Sequence, residues 1–296
     1  MEIRVLRYFL TVVREGSITK ASEVLHITQP TLSRQLAQME EELGVKLFGR
    51  GSRKITLTNE GILLCRRAEE ILQLVDKTEK ELVEQDEQIE GKISIGCGEI
   101  AAVQLLSNLF QTFRKKYSRV NFDLFTATAD LVKEQMDKGL LDIGLLLEPV
   151  DKEKYDFIRL DREENWVVLM RPDDPLAQKE SVTAKDLSVR PLILPRRLSV
   201  QSELASWFGN YYNNLNIVFT SNLSTNGAVM VSHGLACSLV IEGAVPFWDP
   251  SKITYRPLNP PLTATSVLAW KRGQPFSLAA TKFIEHMKCF LSMVRS

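Results

Sequence analysis

What this 296-residue chain has little of excludes several classes of protein. It carries four cysteines, Cys65, Cys97, Cys237 and Cys289, with no C-x-x-C pair. Neither a disulfide framework nor a zinc ribbon is therefore written into it. His26, His233 and His286 show no metal-ligand spacing. No Ser/His/Asp set, paired carboxylates or phosphate loop stands out, so catalysis, a metal and a cofactor are not expected. No apolar run approaches the roughly 18 residues that span a bilayer. The opening MEIRVLRYFLTVVREGS breaks its apolar stretch with Arg4, Arg7 and Arg14, unlike a signal peptide. Net charge is lacking too: 37 Lys+Arg balance 37 Asp+Glu, so partners must be sought segment by segment. What remains, 44% hydrophobic and 25% charged, is the composition of a folded soluble protein, expected in the cytoplasm.

Local pattern says more. Residues 3–14 put Val5, Leu6, Phe9, Leu10 and Val13 on one helical stripe, closed by Gly16-Ser17. Thr19 is the expected N-cap of a short second helix that turns Ala21, Val24 and Leu25 inward. His26-Ile27-Thr28 reads as a tight turn. Pro30 then falls in the first turn of a third helix, where its missing N–H costs nothing. That helix has apolar positions Leu32, Leu36, Met39 and Leu43, and Gly44 stops it. Around the basic, Gly-rich 49–54, the segments 45–48 and 55–58 read as two short strands, a wing.

Two short helices joined by a tight turn, the second with a polar outer face, form a helix-turn-helix whose second helix enters the DNA major groove. Burying Leu32, Leu36 and Met39 leaves Gln29, Thr31, Ser33, Arg34, Gln35 and Gln38 facing out or sideways. These residue types read base edges or hold phosphates. Thr19 and Pro30 at the helix starts, with Arg50, Arg53 and Lys54 in the wing, complete the expected DNA-contacting set. Residues 1–58 hold nine basic against six acidic side chains, and three of the acids sit together at Glu40–Glu42. One end of the module is thus basic, as phosphate contact requires.

Thr58-Asn59-Glu60-Gly61 leads into a long helix with no further Pro or Gly until Gly91. In it Leu64, Ala68, Ile71, Val75, Thr78, Leu82, Gln85 and Ile89 alternate steps of four and three. That heptad seam predicts pairing with another helix, the alternative being a helix packed on its own domain. After Gly91 strands and helices alternate, which predicts an α/β region with a largely parallel sheet. Strands are expected at 92–96, 120–126, 140–147, 166–170, 192–194, 217–220, 235–241 and 266–270.

The stretches RYFLTVVREGSITKASEVLHITQPTLSRQLAQMEEELGVKLFGR and ITLTNEG, with the long helix after them, resemble the LysR-type transcriptional regulators. The resemblance covers the whole chain. It implies a winged helix-turn-helix (residues 1–58), a linker and dimerisation helix (59–90) and an α/β effector-binding domain (91–296). The last would consist of two Rossmann-type subdomains like those of periplasmic binding proteins, residues 91–162 with 266–296 and residues 163–265. It further implies homodimers pairing into tetramers, double-stranded promoter DNA as partner, and regulation by a small-molecule effector in the cleft between subdomains. In open α/β sheets ligands sit beyond the carboxyl ends of strands, near helix N-termini. Here that places Gly98, Glu99, Ile100, Ala101, Thr128, Ala129, Arg196, Ser199, Asn222 and Thr225 at the effector site. Many family members carry Ser or Thr where Ile100 stands, which puts a simple carboxylate effector in doubt. Glu99 reads equally as a solvated acid at a helix start. Arg196 could meet an anionic group or pair with an acid across the cleft. The alternative to this function is a small-molecule-binding or thiol redox-sensing protein, with Cys97 or Cys237 as the thiol and the N-terminal module serving assembly.

Overall fold

The computed structural model describes residues 1–49, 55–83 and 89–294, and the chain divides into two compact units, Met1–Val83 and Glu84–Ser296. The first contains α1 (Ile3–Glu15), α2 (Ile18–Val24), α3 (Gln29–Leu43) and α4 (Asn59–Val83). Val5, Leu6, Phe9, Ala21, Leu32, Leu36 and Met39 form its buried core. Three details depart from the sequence reading. Ser17, not Thr19, caps α2, accepting from the Lys20 amide. Val24 is 49% exposed, and the inward place is taken by Ser22, whose hydroxyl donates to the Thr19 carbonyl. Leu43 is exposed as well, because α3 has by then left the core. Among the described residues of the wing, Phe48 and Leu57 form an antiparallel bridge.

The heptad seam of α4 is partly spent inside the chain. Leu64, Cys65, Ala68, Ile71 and Leu72 pack into the N-terminal core, α4 lies on α1, and Arg7 pairs with Asp76 at 2.6 Å. Ile89 packs instead into the core of the second unit, and Gln85 lies outside the described residues. Ile62, Leu63 and Leu74 remain exposed on α4.

Glu40, near the end of α3, fixes the start of the wing. Its carboxylate accepts from the amides of Leu47 (2.8 Å) and Phe48 (3.3 Å) and from Lys46 Nζ (2.7 Å). Burial pushes its pKa up, but the Lys46 ammonium and the two amides outweigh this and hold it below the usual value of 4.5. A depressed carboxylate stabilises the fold fully above its unfolded pKa and loses that contribution as pH falls through the folded one. Glu40→Ala is therefore expected to destabilise the N-terminal unit by about 2 kcal/mol at neutral pH, the worth of hydrogen bonds to a charged group. In urea titrations at successive pH values the difference from the unmodified protein should shrink below pH 4.5.

The second unit opens with β1 (Gly91–Cys97), α5 (Val103–Lys116), β2 (Val120–Thr126), α6 (Ala129–Asp137) and β3 (Ile143–Leu147), which form one α/β lobe. β4 (Tyr155–Met170) leads out of it. β5 (Val182–Thr183), α7 (Ala184–Ser188), β6 (Pro191–Pro195), α8 (Leu198–Phe208), β7 (Asn216–Ser221), α9 (Ser224–Ser232), β8 (Cys237–Ile241) and β9 (Thr254–Asn259) build the other lobe. β10 (Thr263–Lys271) and α10 (Leu278–Val294) return to the first. Strand order is β2-β1-β3-β10-β4-β8-β6-β7, with β9 on β4 and β5. Each lobe is parallel within itself, while β4 and β10 run antiparallel through the middle. The passage between lobes is made within one continuous strand: β4 pairs with β10 up to Asn165 and with β8 from Trp166. Only its last five residues were legible as strand, because the charged Asp161–Glu164 breaks the apolar run. β9 was missed because Pro257 interrupts its pattern; it is an exposed residue opposite Val167.

Candidate DNA-reading face and effector cleft

Thr28 ends the turn before α3. Its hydroxyl accepts from the Thr31 amide and meets the Thr31 hydroxyl at 2.8 Å, and Pro30 occupies the first turn. His26 holds the left-handed conformation (φ 54°) that turns α2 into α3. With Leu32, Leu36 and Met39 buried beneath, Gln29, Pro30, Thr31, Arg34 and Gln38 are exposed, and Ser33 and Gln35 are half-buried. Thr19 is exposed on α2. Gln38 Nε2 donates to Glu42, whereas Arg34 has no hydrogen-bond or ion-pair partner among the described residues. Arg50, Arg53 and Lys54 lie outside the described residues.

In the second unit the carboxyl ends of β1, β3, β6, β7 and β8 converge on a cleft of about 140 Å³ between the lobes. That is the size of a cavity able to hold a benzene ring. Of the residues placed past strand ends, Gly98, Glu99, Ile100, Thr128, Ala129, Arg196 and Asn222 line it. Ala101, Ser199 and Thr225 do not. Ala101 faces Glu164, and Thr225 reaches the site only through Glu99. Leu145–Leu147, Trp166, Leu194, Arg197, Val200 and Ser238–Ile241 are also part of the wall. The strand ends among them carried no polar signal in the sequence, and the crossover Trp166 belongs to a strand whose extent was not legible.

Two of the acids around the cleft are held by amides and hydroxyls, and a third by an arginine. The Glu164 carboxyl, fully buried on β4, accepts from the amides of Ala101 and Ala102 and from the Ser266 hydroxyl, each at 2.8 Å. It thereby caps the turn that opens α5. Glu99 instead crosses to the other lobe. Its carboxylate accepts from the Ser224 amide (2.5 Å), the Thr225 amide (3.1 Å) and the Thr225 hydroxyl (2.5 Å). Arg197, not Arg196, makes the cross-cleft pair, bidentate to Asp130 at 2.7 and 2.9 Å. Arg196 is exposed and without a side-chain partner among the described residues. Burial, with Arg197 nearby, pushes the Lys133 ammonium down. Cys97 and Cys237 are both buried, and burial raises both thiols, the opposite of what an activated thiolate needs.

Comparison with known proteins bears on both units. The family model "LysR substrate binding domain" matches residues 86–292, and the model "Bacterial regulatory helix-turn-helix protein, lysR family" matches residues 3–62. The chain belongs to the LysR family. It is a DNA-binding transcriptional regulator with an effector-binding domain. Among LysR-family relatives, HcaR of Escherichia coli (strain K12), the Hca operon transcriptional activator, is 30% identical over 93% of this chain and 93% of its own. The uncharacterized HTH-type regulator YvbU of Bacillus subtilis (strain 168) is 30% identical over 97% of this chain and 98% of its own. The crystal structure of CbnR, a LysR family transcriptional regulator, shares the fold at a TM-score of 0.74, with 21% identity over 98% of this chain and 99% of that one. No described helix of this LysR-family regulator is long and apolar enough to cross a membrane.

Proposed function

We propose that this regulator reads its operator with the outer face of α3, and that a small molecule in the interlobe cleft sets its activity. The observation that carries the DNA assignment is Arg34, exposed and without a partner among the described residues, on a helix whose other face is core. Gln29, Thr31, Ser33, Gln35 and Gln38 flank it as base or phosphate contacts, with Thr19 and Pro30 at the helix starts and Arg50, Arg53 and Lys54 gripping the backbone. Exposed Ile62, Leu63 and Leu74 on α4 support self-association as homodimers, which pair into tetramers. The role is regulatory rather than catalytic, and it is exercised in the cytoplasm. A benzene-sized, mostly apolar effector fits the cleft, with polar groups met by Thr128, Arg196 and Asn222.

Fluorescence anisotropy with the gene's own upstream DNA and a random duplex tests the reading. Arg34→Ala is expected to weaken binding to the operator by about 1–3 kcal/mol and to relax base preference. Equal losses on both duplexes would refute direct readout by Arg34. Thermal-shift screening of the full chain against metabolites tests the cleft, since a ligand that binds only the folded state raises the midpoint.

A further inference from the structure

Among the described residues two side-chain ties join the lobes across the cleft, and they differ in strength. Asp130 is 62% exposed and Arg197 23% exposed, so their ion pair is of the surface kind that contributes little. The Glu99 tie is half-buried and has three donors, two of them amides of the first turn of the nine-residue α9. Those amides and the helix dipole favour an anion. The Thr225 hydroxyl adds a third charge-assisted bond. Glu99 and Ser224 both line the cleft, so this contact forms part of its wall.

We propose that Glu99 is an internal carboxylate ligand of α9, which latches the lobes together and makes any carboxylate-bearing effector that approaches α9 a competitor of the protein's own side chain. This rests on reading the cleft as the effector site. Three consequences follow from the contacts. An effector that leaves the latch closed presents an uncharged face to α9. One that carries a carboxylate there opens the latch, because both cannot use the amides of Ser224 and Thr225. An anionic group elsewhere on the ligand is met by Arg196, whose charge no described side chain neutralises.

Amide hydrogen exchange on the full-length protein tests this without knowledge of the effector. In Glu99→Ala the amides of Ser224 and Thr225 are expected to exchange about tenfold faster or more, as loss of a charge-assisted hydrogen bond predicts. Acetate at high concentration should slow them again by filling the vacated position, and acetamide should not. Glu99→Gln, which keeps one carbonyl acceptor, should fall between the two and serves if the alanine variant misfolds. Unchanged exchange in both variants overturns the latch. Faster exchange that acetate leaves unaltered, or that acetamide reverses equally, overturns the carboxylate site. Failure of every metabolite to stabilise the unmodified protein would count against the effector reading and leave these exchange results standing.

Discussion

Glu164→Ala is expected to lower the thermal midpoint of the effector-binding unit by about 6–20 °C. The glutamate is fully buried and accepts from two backbone amides and one serine hydroxyl. Ser266 can rotate to another acceptor, but the amides of Ala101 and Ala102 are fixed by the turn that opens α5. Each buried, unsatisfied amide costs about 1–3 kcal/mol, and the deleted side chain leaves a void besides. A loss of about 3–5 kcal/mol results, and in a unit of this size each kcal/mol moves the midpoint by about 2–4 °C. Glu164→Leu should recover only the part of the loss that comes from the void, since an apolar isostere fills the volume and still leaves the donors unmet. Glu164→Gln, which keeps one acceptor oxygen, should recover part of the loss. Calorimetry on the full chain, following the second unit's transition, gives the measurement. A midpoint within 2 °C of the unmodified protein would mean that the amides find other partners.

Gly243→Ala is the second substitution of large effect, and it acts at the same seam. Gly243 lies in a 3-10 turn (Glu242–Phe247) of the β8-side lobe. A Cβ added there would stand 2.0 Å from the Ala101 nitrogen and 2.1 Å from the Ile100 carbonyl carbon. Both atoms are backbone and cannot swing aside. The turn cannot easily withdraw either, because the Glu242 carboxylate holds Tyr255 Oη at 3.0 Å and Asn165 Nδ2 at 3.2 Å. One methyl group therefore has to part the lobes where Glu99 and Ile100 enter the cleft wall. The expected destabilisation exceeds the roughly 1–3 kcal/mol of ordinary overpacking. Unlike Glu164→Ala, it should also abolish effector-dependent change in DNA binding in protein that still folds. Midpoint and effector response read together distinguish the two variants, and a Gly243→Ala protein normal in both would contradict the close contact of the turn with Ile100 and Ala101.

How much could be read without coordinates depended on the range of the interactions concerned. The DNA-reading module is local: Thr28, Pro30, Leu32, Leu36 and Met39 lie within twelve residues, and helix periodicity with one cap orders them. Its errors were local as well. Ser17 and Thr19 are both good caps two residues apart, and Ser22 took the buried place given to Val24 because its hydroxyl is satisfied within its own helix. The seam on α4 shows a different limit. Its apolar spacing is plain in the sequence, but spacing cannot say which surface it meets, and Ala68, Ile71 and Leu72 meet the unit's own core.

Sequence alone determined the fold class, the helix-turn-helix and the alternation of strands and helices along the second unit. It also placed Gly98, Glu99, Thr128 and Asn222 just past strand ends, where ligands collect in such sheets. Only the tertiary structure decided which charge faces which. Glu99 is 125 residues from Ser224, Arg197 is 67 from Asp130, and Glu164 is 62 from Ala102. Hydrogen bonds of that range depend on the register of β4 and β10 through the middle of the sheet, which no periodicity encodes. So an acid that the sequence places at the start of α5 caps α9 instead, because a buried glutamate from β4 already occupies the turn before α5.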